Sequence, residues 1–279
     1  MDDLVLSVVK NRFWPDVDVY ALSLAQSGFV GRKIMFVENV PELAILNLKA
    51  LDFEVIPFTT LREWQHLHFQ SYRYFVAAEF LSRHGKDFAN VLWTDVCDLA
   101  FQSDPSKHFG PQLLAAKEGR KISAGHGQGW NELWLRMFLS HELTLKLLPE
   151  EVLCSGTIAG QASEMYTLFC DLWWELKLCG EHRGIDQGVW NYLARTRSYL
   201  PKIKIPEMRE AWVSTCGMFM AEYNQDEWTV EPPVLDRDNG LVLNQQGTPF
   251  AIVHCYDRQG GALNPHNDFR ACLERRYRK

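Results

Sequence analysis

The first hundred residues alternate short apolar runs with stretches of helical spacing, and this alternation constrains the fold more than any other feature. Leu4 to Val9 is a compact β-like run. Val17 to Gly28 carries apolar residues at helical spacing and stops at Gly28, a residue suited to ending helices. Lys33 to Val37 predicts a second strand, and Pro41 to Leu51 a helix with Pro41 in its first turn. Phe53 to Phe58, Phe69 to Leu81 and Ala89 to Trp93 continue as strand, amphipathic helix and strand. Such repetition predicts an α/β fold in which a mostly parallel central sheet carries helices on both faces. Ligands of these sheets sit beyond the carboxyl ends of the strands. Asp95 stands at the end of the fourth.

The second half is less regular. Val152 to Ala159 reads as a strand broken at Ser155-Gly156, and Met165 to Leu178 as an apolar helix that packs Trp173 and Trp174 against the sheet. Gln187 to Ala194 reads as a helix and Phe250 to His254 as a late strand. Ala211 to Gly247, rich in Pro, Gly and Asn, reads as loops crossing a face. No repeat, low-complexity tract or linker divides the 279 residues, so one domain over 1–279 is expected. A chain of this length with 47% hydrophobic residues can bury a substantial core.

Charge and cysteine usage narrow the function. A net charge of -6 disfavours nucleic acid, whose binding runs on phosphate neutralisation by Lys and Arg. It is compatible with a phosphate-bearing small molecule when a divalent cation supplies the local positive charge. Seven cysteines without CxxC or Cys…His ligand spacing read as reduced, buried thiols in a cytoplasmic protein, not a zinc or disulfide framework. The N-terminus lacks the pattern of a signal peptide, and no run approaches the roughly 18 apolar residues of a membrane helix. The basic tail (Arg270, Arg275, Arg276, Arg278, Lys279) reads as a solvated helix, with peripheral membrane contact as the second reading.

Val91 to Pro105, VLWTDVCDLAFQSDP, is the most informative segment. Residues three apart in a continuing strand point to opposite faces, so Asp95 and Asp98 converge on one ion only if the chain turns between them. Carboxylates at such a turn suit a hard cation such as Mn²⁺ or Mg²⁺. The plainer reading is a pair of solvated loop aspartates, one capping a turn.

This segment resembles the metal-binding region of GT-A fold glycosyltransferases, in which an acidic DxD-type motif follows a buried strand. The run Leu99 to Pro105 sets Asp98 at the second acidic position of the motif. Val96 then occupies the first, with Asp95 displaced by one. An Asp-x-x-Asp form followed by Phe-Gln occurs among bacterial and viral members. Asp95 therefore has three candidate partners: the metal, the ribose, or Arg73. Arg73, in Ser71 to Phe75, resembles a basic residue that contacts the donor and an aspartate of the metal motif; by itself it reads as a surface helix charge.

Cys154 to Gly160 resembles the NSG-type strand that lines the sugar pocket and implies Ser155 and Gly156 beside the donor sugar. Its plainer reading is a β-bulge at Gly156. Gly184 to Gly188 resembles the segment whose Asp-Gln pair meets the transferred sugar or acceptor, which makes Asp186 and Gln187 the catalytic candidates. Asp186 could also cap the following helix, worth about 1 kcal/mol. His254, after a late strand, resembles the histidine that completes the metal site, with Asp257 and Arg258 near the pyrophosphate. Val9 and Asn11, at the first strand's end, would meet the base and ribose.

The resemblance implies a GT-A, Rossmann-like fold with a donor-binding N-terminal half and an acceptor-side C-terminal half. It implies Mn²⁺- or Mg²⁺-dependent transfer of a hexose or deoxyhexose from a nucleotide-diphosphate sugar, retention slightly favoured. The acceptor would be a glycan, glycolipid or glycoprotein, as in polysaccharide biosynthesis. A Rossmann oxidoreductase is disfavoured, because Lys10-Asn11-Arg12-Phe13-Trp14 replaces the glycine-rich turn it needs. A haloacid dehalogenase-type phosphatase lacks its nucleophilic Asp after the first strand. The remaining alternative is a binding protein of the same fold, without catalysis, that uses some of the ten tryptophans to stack on sugars.

Overall fold

Strand β1 (Asp2–Lys10) is apolar along its length because both of its faces are covered. Leu4, Leu6 and Val8 enter one core, whereas Val5 and Val9 enter another on the opposite side of the sheet. The computed structural model describes residues 1–124, 129–196, 199–219, 225–257 and 269–278. The chain continues through α1 (Trp14–Gln26), β2 (Arg32–Glu38), α2 (Glu42–Ala50), β3 (Glu54–Pro57), α3 (Phe69–His84) and β4 (Phe88–Thr94). Helix α3 packs Tyr72, Tyr74, Val76 and Ala77 on the first face, and α1 packs Val17, Tyr20 and Leu24 on the second. The expected two-sided α/β layering is therefore present.

From β4 the chain turns into β5 (Leu99–Phe101), then β6 (Leu113–Lys121), α4 (Trp130–Arg136), α5 (His141–Leu147), β7 (Glu151–Gln161), α6 (Ala162–Cys179) and α7 (Ile185–Thr196). Next come β8 (Ile203–Lys204), β9 (Val213–Thr215), β10 (Val234–Asp236), β11 (Leu241–Leu243), β12 (Ile252–His254) and α8 (Phe269–Tyr277). The main sheet has the order β3-β2-β1-β4-β7-β6-β8. Of these strands only β7 runs against the others, antiparallel to both β4 and β6. A second sheet, β5-β12-β9, continues from the carboxyl end of β4. In it β12 is antiparallel to β5 and parallel to β9.

Several sequence expectations need correction. Strand β7 is not broken at Ser155-Gly156: it pairs regularly with β4, from Asn90↔Gln161 to Thr94↔Thr157. The irregularity lies on its other edge, where the register to β6 jumps from Ala115↔Ile158 to Lys117↔Leu153. The bulge reading is right for one neighbour and wrong for the other. Ala211 to Gly247 is more than loops, since it contains β9 and the β10–β11 hairpin; three-residue strands carry too little periodicity to register in sequence. Trp173 is half-buried, edge-on to Trp64 at 5.0 Å, but Trp174 is 62% exposed beneath the Lys177 ammonium. Helical spacing puts these neighbours on different faces.

The terminal helix is docked along one face and solvated along the other, where Arg270 and Arg275 are exposed. Phe269, Cys272, Leu273 and Tyr277 are buried, and the Tyr277 hydroxyl donates to the Phe101 carbonyl at 2.7 Å. Arg278 forks onto Asp18 of α1 at 2.7 and 2.9 Å. Among the described residues no helix is long and apolar enough to cross a membrane.

Candidate metal and donor site

The carboxyl end of β4 meets the start of β5 at a turn carrying Asp95 and Asp98, so the two carboxylates escape the opposition that a straight strand would impose. The Asp95 amide donates to the Gly156 carbonyl at 2.8 Å, which anchors this turn to β7. His254 arrives from the other end of the chain. Strand β12 inserts between β5 and β9, pairing His254 with Leu99 and Thr215, and so delivers the ring beside the residue that follows Asp98.

His254 Nε2 lies 3.4 Å from Asp95 Oδ2 and 3.4 Å from Asp98 Oδ1. This nitrogen is fully buried and makes no hydrogen bond among the described residues. The other ring nitrogen, Nδ1, is 3.3 Å from Cys154 Sγ and 3.5 Å from Thr157 Oγ1. Burial acts to lower the His254 pKa, but Cys255, Cys154, Asp98 and Asp95 around it outweigh burial and push it well above the ordinary histidine value. A proton between two carboxylates is the usual alternative to a cation at the same place, because a metal-bound imidazole must be neutral.

Gly156 lets Asp95 and His254 pack directly against β7. A Cβ there would stand 2.3 Å from Asp95 Oδ2 and 2.5 Å from His254 Cε1, so no other residue fits without displacing the candidate ligands. An unsatisfied buried imidazole nitrogen and two carboxylate oxygens form a donor set suited to a divalent cation. Among the described residues, ligand atoms of Asp98, His254 and Cys255 lie within 4.8 Å of one another. Asp95 lies outside that grouping, and Arg73 holds its Oδ1.

Arg73 ties the site together. Its side chain is only 6% exposed, which excludes the reading of a surface helix charge. Nη1 donates to Asp95 Oδ1, and Nη2 donates to Asp186 Oδ2 at 2.9 Å. The guanidinium lies 5.3 Å from the Trp93 ring centre and 5.2 Å from that of Tyr74, adding cation–π attraction. Burial acts to raise the Asp95 pKa, and the Arg73 and His254 charges outweigh it to hold that carboxyl well below the usual range. At Asp186 the balance falls the other way: burial raises the pKa and Arg73 only partly offsets it.

Asp186 does not cap its helix. It lies within the first turn of α7, 1% exposed, and its Oδ2 accepts from Arg73, from Tyr74 at 3.2 Å and from Ser155 at 3.3 Å. Gln187 is occupied at both ends. Its Oε1 accepts from the Ser155 amide at 3.3 Å, and its Nε2 donates to Asn131 Oδ1 of α4 at 2.8 Å. The structure thus gathers Arg73, Asp95, Asp98, Ser155, Gly156, Asp186 and His254 around one point, with Gln187 fastened to its edge.

The donor-side expectations are placed less directly. Val9 is at the carboxyl end of β1, but its side chain is buried in the second core. Asn11 adopts φ +54 and accepts from Asn39 at 2.6 Å, so the ends of β1 and β2 are tied together. Asp257 is exposed after β12, and Arg258 lies outside the described residues. Sequence reasoning missed Tyr74, Cys154, Asn131 and Cys255. Each is a neighbour of a recognised residue along the chain or in space, and no spacing rule distinguishes such neighbours from core.

Strand order, the single reversed strand and the carboxylate turn at the end of β4 together define the GT-A fold. Among solved structures the chain is similar to the galactosyltransferase LgtC in complex with donor and acceptor sugar analogues. That likeness has a TM-score of 0.55 at 12% identity and covers 98% of this chain and 95% of that one. An active-site glutamine-to-glutamate mutant of LgtC matches with a TM-score of 0.56 at the same identity and coverage. No family model and no curated protein matches the sequence.

Proposed function

We propose that the protein is a divalent-cation-dependent glycosyltransferase that moves a sugar from a nucleotide-diphosphate donor to a glycan, glycolipid or glycoprotein acceptor. The observation that carries this reading is the buried, unbonded His254 Nε2 midway between Asp95 and Asp98 at the carboxyl end of β4. Its support is the GT-A fold shared with a galactosyltransferase that binds donor and acceptor sugar analogues.

Asp98 and His254 would hold the cation, with the Asp95 oxygen nearest His254 as a further ligand. Mn²⁺ or Mg²⁺ held there would supply Lewis-acid neutralisation of the departing diphosphate. The chain's own residues do the rest. Gly156, lacking a Cβ, lets Asp95 and His254 pack against β7 in the positions where they would hold the cation. Arg73 fixes Asp95 and Asp186 in one orientation, so neither carboxylate must reorganise as charge develops. Asp186 would stabilise positive charge on the sugar, a role that fits retention better than inversion. The N-terminal half would bind the donor and the C-terminal half would face the acceptor.

The test is hydrolysis of a panel of nucleotide-diphosphate sugars with and without Mn²⁺. Donor turnover that requires the cation and disappears in Asp98→Ala is the expected result. If no donor turns over, yet one binds with unchanged affinity in Asp98→Ala, the protein is a binder and the transferase reading fails.

A further inference from the structure

Cys255 follows His254, and in a continuing strand adjacent side chains point to opposite faces. Here they do not. Cys255 has φ +55, a left-handed conformation that residues other than glycine seldom adopt and that clusters at functional sites. The reversal returns its thiol to the side His254 faces, where Sγ, a His254 ring nitrogen and an Asp98 oxygen all lie within 4.8 Å of one another. Cys255 is 2% exposed and His254 1%, while the Asp98 side chain, at 12%, leaves one edge of the grouping in reach of solvent. Independently, His254 Nε2 is buried without a hydrogen bond, which leaves a polar atom aimed into the same space.

Nitrogen, sulfur and oxygen ligands together are not the set that a hard cation selects. Mg²⁺ takes oxygen ligands in octahedral geometry, whereas thiolate, imidazole and carboxylate together suit Zn²⁺ and its relatives. We propose that Cys255 is a thiolate ligand of the cation site, which therefore holds Zn²⁺, Co²⁺ or Cd²⁺ more tightly than Mg²⁺ or Mn²⁺. This rests on the reading of Asp98 and His254 as cation ligands. The thiol proton passes to solvent as the metal–sulfur bond forms, with no change of oxidation state. Asp98, His254 and Cys255 would hold the ion, with the Asp95 oxygen nearest His254 beside them.

Titration of the full chain with Co²⁺, followed by absorption, tests the proposal. A sulfur-to-cobalt charge-transfer band is expected in the unaltered protein. It should be lost in Cys255→Ser and retained in Cys97→Ser and Cys154→Ser, whose thiols lie nearby but outside the grouping. Zn²⁺ affinity should fall roughly tenfold or more in Cys255→Ser, with a smaller change for Mn²⁺. Cobalt bound without a sulfur band overturns the Cys255 assignment and leaves the cation site standing; absence of any cobalt binding overturns both. Cadmium NMR of the unaltered protein separates the outcomes without a substitution: a resonance in the thiolate range supports the assignment, and one in the oxygen and nitrogen range overturns it.

Discussion

A guanidinium as buried as that of Arg73 is tolerated only because two carboxylates and two aromatic faces surround it. Removing it would leave Asp95 and Asp186 buried near each other without a shared counter-charge. Arg73→Met is expected to cost about 3–5 kcal/mol, the range for breaking a buried ion pair from one side. Arg73→Lys should recover only part of this, because an ammonium cannot fork across two carboxylates as the planar guanidinium does. Urea denaturation of the three proteins measures both effects, and a loss below about 1 kcal/mol for Arg73→Met would show that the network relaxes around the gap.

The first strands of the main sheet are tied together at their carboxyl ends by Glu38, the last residue of β2. It accepts from Lys10 of β1 at 2.8 Å, and its two oxygens receive the Thr60 hydroxyl and amide at 2.5 and 2.7 Å. Burial acts to raise the Glu38 pKa, but Lys10 and Thr60 outweigh it, so the folded value lies below the ordinary 4.5. A carboxyl with a depressed folded pKa adds stability above its unfolded pKa, and that stability is lost as pH falls through the folded value. Glu38→Gln should therefore cost about 1–2 kcal/mol at neutral pH, with the difference from the unaltered protein shrinking below about pH 4.5. Melting curves across this range check it; a pH-independent difference would mean that shape, not charge, makes the tie.

At the scale of the molecule, the candidate site joins segments from both halves of the chain, so a ligand there links them. A cation that binds only the folded state at about one hundred times its Kd should add about 2.7 kcal/mol of stability. For a chain of this length that raises the melting midpoint by roughly 4–5 °C. Calorimetry with Mn²⁺ or Zn²⁺, reversed by a chelator and absent in Asp98→Ala, is the expected pattern. An equal rise in Asp98→Ala would place the cation elsewhere.

The βαβ alternation and the position of Asp95 at the end of β4 were legible in the sequence, because periodicity is local and a two-faced buried strand must be apolar throughout. The strand leading to His254 was legible for the same reason, whereas spacing made the turn between Asp95 and Asp98 only a condition for their convergence. What no local pattern carries is partnership between distant residues. That Arg73 grips both Asp95 and Asp186, that β7 reverses and bulges only toward β6, and that β12 slides between β5 and β9 are decided by which faces bury against which. Cys255 shows the limit most sharply. The lack of ligand spacing among the cysteines suggested a reduced, buried thiol, and with a left-handed φ after His254 that thiol lies within 4.8 Å of the His254 and Asp98 ligand atoms.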